Sequence, residues 1–136
     1  MLDSRFHVEE LQCRLLTGDD PRQAAAARSL VASGPVWIAK TVLLETGWVL
    51  GSVYGFEDQA VREALTKLLG LASVHAEDEA SVAAALALTA EGIELADALH
   101  LTSRPHGAKF VSFDKPFVQR AKRAGVSDVS GVPVKG

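Results

Sequence analysis

The chain is poor in cysteine: Cys13 is the single one among 136 residues. An internal disulfide is therefore excluded, and a reducing compartment is expected. No apolar run is long enough to cross a bilayer and no apolar signal segment opens the sequence, so a cytoplasmic location is expected. Linkers, internal repeats and low-complexity stretches are also missing, which points to one domain over 1–136. Three catalytic chemistries lack their residues as well. There is no Ser-His-Asp order, no glycine-rich phosphate loop and no Cys/His zinc spacing.

What is present suits a globular fold: 48% of residues are hydrophobic and 23% charged, enough to bury a sizeable core. The net charge of −3 hides an asymmetry. Residues 104–136 hold seven Lys and Arg against two acids, whereas the preceding residues hold seven bases against fifteen acids. A basic C-terminal third beside an acidic site suits a polyanion held against a metal; a solvated helix face accounts equally well for the same charges.

Short β-branched runs alternate with helical patterns. Strands are expected at 36–39, 72–75 and 109–112, with a last short one near 127–129. Helices are expected over 21–33, 41–54, 58–69, 80–91, 95–104 and 116–124. Asp20 before Pro21 reads as an N-cap with proline in the first turn, and Gly70 and Gly125 suit helix C-termini. The triplet Glu77-Asp78-Glu79 reads as first-turn charge favouring the helix that follows. This alternation predicts an α/β fold of three layers, with a central, mostly parallel sheet flanked by helices.

Three carboxylates interrupt the apolar pattern. Glu45 lies within Val42-Leu43-Leu44-Glu45-Thr46-Gly47-Trp48, Asp97 within Leu95-Ala96-Asp97-Ala98-Leu99-His100-Leu101, and Asp114 ends Phe110-Val111-Ser112-Phe113-Asp114. No Lys or Arg lies within the apolar setting of Glu45 or Asp97. A carboxylate in such a setting neutralises, pairs or ligates a cation. Hard oxygen ligands favour Mg(2+) or Mn(2+). Each acid is expected shortly after a strand or in the first turn of a helix, and ligand sites of parallel α/β sheets lie beyond the carboxyl ends of the strands. Taken singly, Glu45 reads also as a helix-surface residue, Asp97 as a first-turn acid favoured by the macrodipole, and Asp114 as a cap before Pro116. Around them, His100 stands three residues after Asp97 as a packing or supporting residue, Ser112 as a supporting hydroxyl, and Trp48 as a core residue with base stacking the alternative.

At these residues the chain resembles the PIN-domain ribonucleases, specifically the VapC-type toxins of toxin–antitoxin pairs. The matching pieces are Arg14-Leu15-Leu16-Thr17-Gly18-Asp19-Asp20-Pro21, Val42-Leu43-Leu44-Glu45, Ala96-Asp97-Ala98-Leu99-His100 and Ser112-Phe113-Asp114-Lys115-Pro116-Phe117, in the family's order. The resemblance implies a PIN fold and Mg(2+)- or Mn(2+)-dependent endoribonuclease activity on RNA. It implies a cognate antitoxin that blocks the site, and commonly a homodimer. Glu45, Asp97 and Asp114 take the places of three acidic metal ligands and catalytic residues.

One departure stands out. Similar proteins open with a short strand ending in an Asp-Thr-Asn-like motif whose Asp is the central ligand. Here the stretch reads Phe6-His7-Val8-Glu9-Glu10-Leu11-Gln12-Cys13-Arg14. Ungapped counting puts Val8 at the Asp position, and a one-residue deletion puts Glu9 there. Glu9 as a ligand would displace the metal by about one carbon–carbon bond, so impaired catalysis is expected. The alternative is a non-catalytic PIN-like module that binds antitoxin or RNA. Helices 41–54 and 58–69 carry more apolar residues than one buried face needs, and an apolar groove accepting an antitoxin helix is expected along them.

Overall fold

The computed structural model describes residues 34–133. The elements run β1 (Val36–Ile38), α1 (Lys40–Ser52), α2 (Asp58–Leu69), β2 (Val74–Ala76), α3 (Glu79–Thr89), α4 (Leu95–Ser103), β3 (Phe110–Ser112), α5 (Lys115–Arg123) and β4 (Val129–Gly131). The expected helix 21–33 and the segment holding Val8, Glu9 and Cys13 lie outside the described residues. The chain divides into two compact units, one ending at Glu79 and the other beginning at Ala80.

In the first unit β1 pairs with β2 in parallel, Val36 opposite Val74 and Ile38 opposite Ala76. A parallel pair needs a crossover, which α1 and α2 supply. α1 turns Val42, Leu43, Thr46, Gly47 and Leu50 inward. The small Gly47 and the Thr46 hydroxyl, which donates to the Val42 carbonyl at 2.8 Å, belong to that buried stripe. α2 spans the expected residues and buries Ala64, Leu65 and Leu68, leaving Asp58, Gln59, Glu63, Thr66 and Lys67 outside. Its outer face is polar. A leucine buried in this way, such as Leu50 or Leu65, contributes roughly 1.5–3 kcal/mol by leaving water.

The acidic triplet does more than start α3. Glu77 Oε1 accepts from the backbone N–H of Lys40 at 2.9 Å, satisfying a donor at the first turn of α1. Asp78 takes the Lys40 ammonium at 3.0 Å. Of the three acids only Glu79 stands in α3, with its Oε1 3.5 Å from His75 Nδ1. The N-cap residue of α1, Ala39, has no side chain able to cap, which is why a carboxylate from beyond β2 serves.

In the second unit β3 pairs with β4 in parallel, Phe110 opposite Val129 and Ser112 opposite Gly131. α5 crosses between them and buries Phe117, Val118 and Ala121. Phe117 meets Phe110 edge to face, ring centroids 5.7 Å apart at 63°. α5 ends in a Schellman turn: Val126 N–H donates to the Ala121 carbonyl and Gly125 N–H to that of Lys122, each at 3.0 Å. Gly125 sits at φ 85°, a conformation that glycine adopts without penalty. Ser81 on α3 donates to the Thr102 carbonyl on α4 at 2.9 Å. The Arg104 guanidinium ties the chain ahead of β3 to the turn ahead of β4, donating to the carbonyls of Ala108, Ser127 and Asp128.

The fold is thus mixed α/β with parallel strand pairing, as the alternation predicts. Among the described residues the strands form two two-stranded sheets, β1-β2 and β3-β4, in place of one continuous sheet. Three residues per strand allow few ladder hydrogen bonds, so each pair leans on its crossover helices for burial.

Candidate functional site

Glu45 lies on the second turn of α1, half-buried, at the border between the inward stripe and the outer face marked by Thr41, Trp48 and Ser52. It is engaged by other groups of the protein, although its own segment supplies no cation. The position follows from β1 delivering the chain directly into α1. The carboxylate therefore stands within two turns of a strand's carboxyl end, as expected.

Asp97 is the acid in the first turn of α4, half-buried between Ala96 and the buried Ala98. No hydrogen bond or ion pair engages its side chain among the described residues. The N-terminal backbone dipoles of α4 favour a negative charge at this place. Glu94, the N-cap, makes no side-chain capping bond, so neither acid is consumed in holding the helix end.

Asp114 is the N-cap of α5. Its Oδ1 accepts from the Phe117 N–H at 3.1 Å, and the Ser112 hydroxyl oxygen accepts from the Asp114 N–H at 3.1 Å. The cap reading of Asp114 is thus realised, and it is compatible with ligation because a carboxylate has a second oxygen. Ser112 supports Asp114 through its backbone. His100 is exposed in the last turn of α4, so it is not a packing residue; it stands where a cation favours the helix C-terminus. Glu9 lies outside the described residues.

Trp48 departs from its expected place in the core. Its side chain is 67% exposed, because the inward stripe of α1 runs through Thr46 and Gly47. The bulkiest apolar residue of a helix is a poor guide to its buried face when that face includes small residues. Phe113, between Ser112 and Asp114, is 77% exposed.

Among the described residues no three His, Cys, Asp or Glu side chains form a group that could hold a metal ion. The donor chemistry suits a hard divalent cation all the same. Each of the three candidates is a carboxylate; among the described residues Asp97 has no competing partner, and Asp114 commits one oxygen to its helix.

The PIN domain family model matches residues 13–123, and the chain belongs to that family. PIN domains are generally nucleases and usually bind divalent metal ions. The match spans both compact units. Comparison with curated proteins found no match, and comparison with solved structures found none. No helix among the described residues is long and apolar enough to cross a membrane.

Proposed function

We infer that the protein is a metal-dependent endoribonuclease of the toxin–antitoxin type. The observation that carries this reading is Asp97: a half-buried carboxylate in the first turn of α4, without a partner among the described residues, in a PIN-family chain. Glu45, Asp97 and Asp114 would hold Mg(2+) or Mn(2+), with Glu9 the candidate for the family's first acidic position. When bound, such a cation lowers the pKa of water and offsets charge on the phosphodiester oxygens. The residues supply the rest. Asp97 stands in the first turn of α4, Ser112 and the Phe117 amide orient Asp114, and Glu45 stands at the border of the inward stripe of α1. No protein nucleophile is required. A cognate antitoxin and a homodimer belong to this reading by family resemblance, with α1 exposing Trp48 and, at its C-cap, Val53.

The second reading, a binding module without catalysis, is favoured by one observation. The family match begins at Cys13, which leaves Phe6-His7-Val8-Glu9-Glu10 outside it, and no Asp stands in that stretch. The deciding experiment is cleavage of end-labelled RNA with Mg(2+) or Mn(2+), with and without EDTA. Weak, EDTA-sensitive cleavage is expected, rising when Glu9→Asp or Val8→Asp is introduced and falling again with added Asp97→Asn. Each decade of rate corresponds to about 1.4 kcal/mol of transition-state stabilisation. Brisk cleavage that Asp97→Asn leaves unchanged sinks the assignment of the site; no cleavage from any of these variants leaves the binding module.

A further inference from the structure

β1 gives way to α1 at Ala39, and Glu77 spans that junction. On the strand side, the Glu77 backbone N–H donates to the Ile38 carbonyl at 2.8 Å. On the helix side, its Oε1 accepts from the Lys40 N–H at 2.9 Å. The Asp78 carboxylate adds the Lys40 ammonium at 3.0 Å. Glu77 and Asp78 form the turn between β2 and α3, where Asp78 stands at φ 52°, a conformation uncommon outside glycine. An extended chain sends successive side chains to opposite sides, whereas in this turn both carboxylates meet Lys40.

Capping alone needs less than this. A serine, threonine, aspartate or asparagine at position 39 would satisfy the helix N-terminus from within its own segment. Ala39 cannot, and the first turn of α1 has no acid. The acceptor comes from the end of β2 instead, so α1 is tied to β2 as well as to β1, and the direction of its axis is held at two points. Glu45 rides on that lever, at about 7–8 Å beyond Lys40 along an axis that rises 1.5 Å per residue. A swing of about 10° at the junction moves it by roughly 1 Å, more than the tolerance of about 0.5 Å within which a functional group must be held.

We propose that Glu77 is a positioning residue for Glu45: by gripping both sides of the β1–α1 junction it sets where the α1 carboxylate stands for a divalent cation, and Asp78 secures the grip through Lys40. The inference rests on the metal-site reading of Glu45, but it is measured by cation binding without cleavage.

Mn(2+) is titrated calorimetrically into the full chain and its variants, at a temperature where near-UV circular dichroism shows each to be folded. Glu45→Gln is expected to weaken binding. Glu77→Ala is expected to weaken it about tenfold, the lower end of what residues supporting a ligand contribute. Glu77→Gln keeps an oxygen at the same reach and is expected to retain most of the affinity, which a purely electrostatic effect of the Glu77 charge would not allow. In the Glu45→Gln background, Glu77→Ala should have no further effect. Ala39→Ser added to Glu77→Ala supplies a local cap, and serves also where Glu77→Ala alone does not fold; thermal stability should recover and Mn(2+) affinity should not. Full affinity in Glu77→Ala, equal losses with and without Glu45, equal losses for alanine and glutamine at 77, or affinity restored by Ala39→Ser overturns the proposal and leaves the metal site standing. Parent-like binding by Glu45→Gln, or a parent that takes no Mn(2+), retires the metal reading of Glu45 and this proposal with it.

Discussion

Asp114 holds the N-terminus of α5 through Phe117, its Oδ1 accepting from the Phe117 amide at 3.1 Å. The same residue is a candidate metal ligand, so structural and chemical roles overlap in one carboxylate. Asparagine caps a helix about as well as aspartate but carries no charge. Asp114→Asn is expected to keep stability within about 0.5 kcal/mol while weakening Mn(2+) binding, and Asp114→Ala to cost about 1 kcal/mol as well. Urea denaturation and calorimetric Mn(2+) titration separate the two. Unchanged Mn(2+) binding in both variants would confine Asp114 to capping.

Glu77 and Asp78 both answer to Lys40, but by different physics. The Glu77 contact is a part-buried hydrogen bond to a helix N–H, and the Asp78 contact is a partly exposed ion pair. Glu77→Ala is expected to cost about 1 kcal/mol, the scale of a lost cap. Asp78→Ala is expected to cost less than about 1 kcal/mol and to lose its effect in high salt. Denaturation at low and high ionic strength checks both.

Among the described residues, the buried hydroxyl of Thr102 has no hydrogen-bond partner. Replacing it with the isosteric valine removes a desolvated polar atom without opening a cavity. Thr102→Val is expected to stabilise the protein by about 1 kcal/mol. A loss of stability would show that the hydroxyl is used.

Arg104 joins three carbonyls with one planar fork. Arg104→Ala is expected to cost about 1–2 kcal/mol, after discounting for the exposure of two of the contacts. Arg104→Lys should not restore it, since an ammonium lacks the fork. Asp128, at φ 57° in the same turn, should accept glycine with little change and lose stability with valine. Thermal melts of the four variants give the ranking.

Most of the architecture is legible because its signals are local. The stretch from Asp58 to Leu69 shows apolar residues at helical spacing, and the helix forms over those residues. Gly125 ends α5 for a reason carried by its own backbone. The positions of Glu45, Asp97 and Asp114 along their elements follow from the strand-helix alternation. What stayed hidden depends on distant partners or on packing. Glu77 looks like an α3 first-turn acid because nothing near it announces a helix end 37 residues earlier in the chain. Trp48 looks buried because hydrophobicity alone cannot reveal that the buried stripe of α1 runs through Thr46 and Gly47. Asp114 looks like a cap, and is one; sequence supplies no means of telling whether its second oxygen has another use.

The reach of Glu77 back to Lys40 also bears on how this chain emerges from a ribosome. At about 5–20 residues per second, the 37 residues between them take roughly 2–7 s to synthesise. A helix of this size melts and reforms on the order of microseconds. The nascent α1 therefore opens and closes very many times before the carboxylate that caps it exists, with the apolar stripe from Val42 to Leu50 open to water and to chaperones throughout. β2 brings both the strand that β1 needs and the acid that α1 needs, in adjacent residues, so one late arrival completes two unfinished ends together.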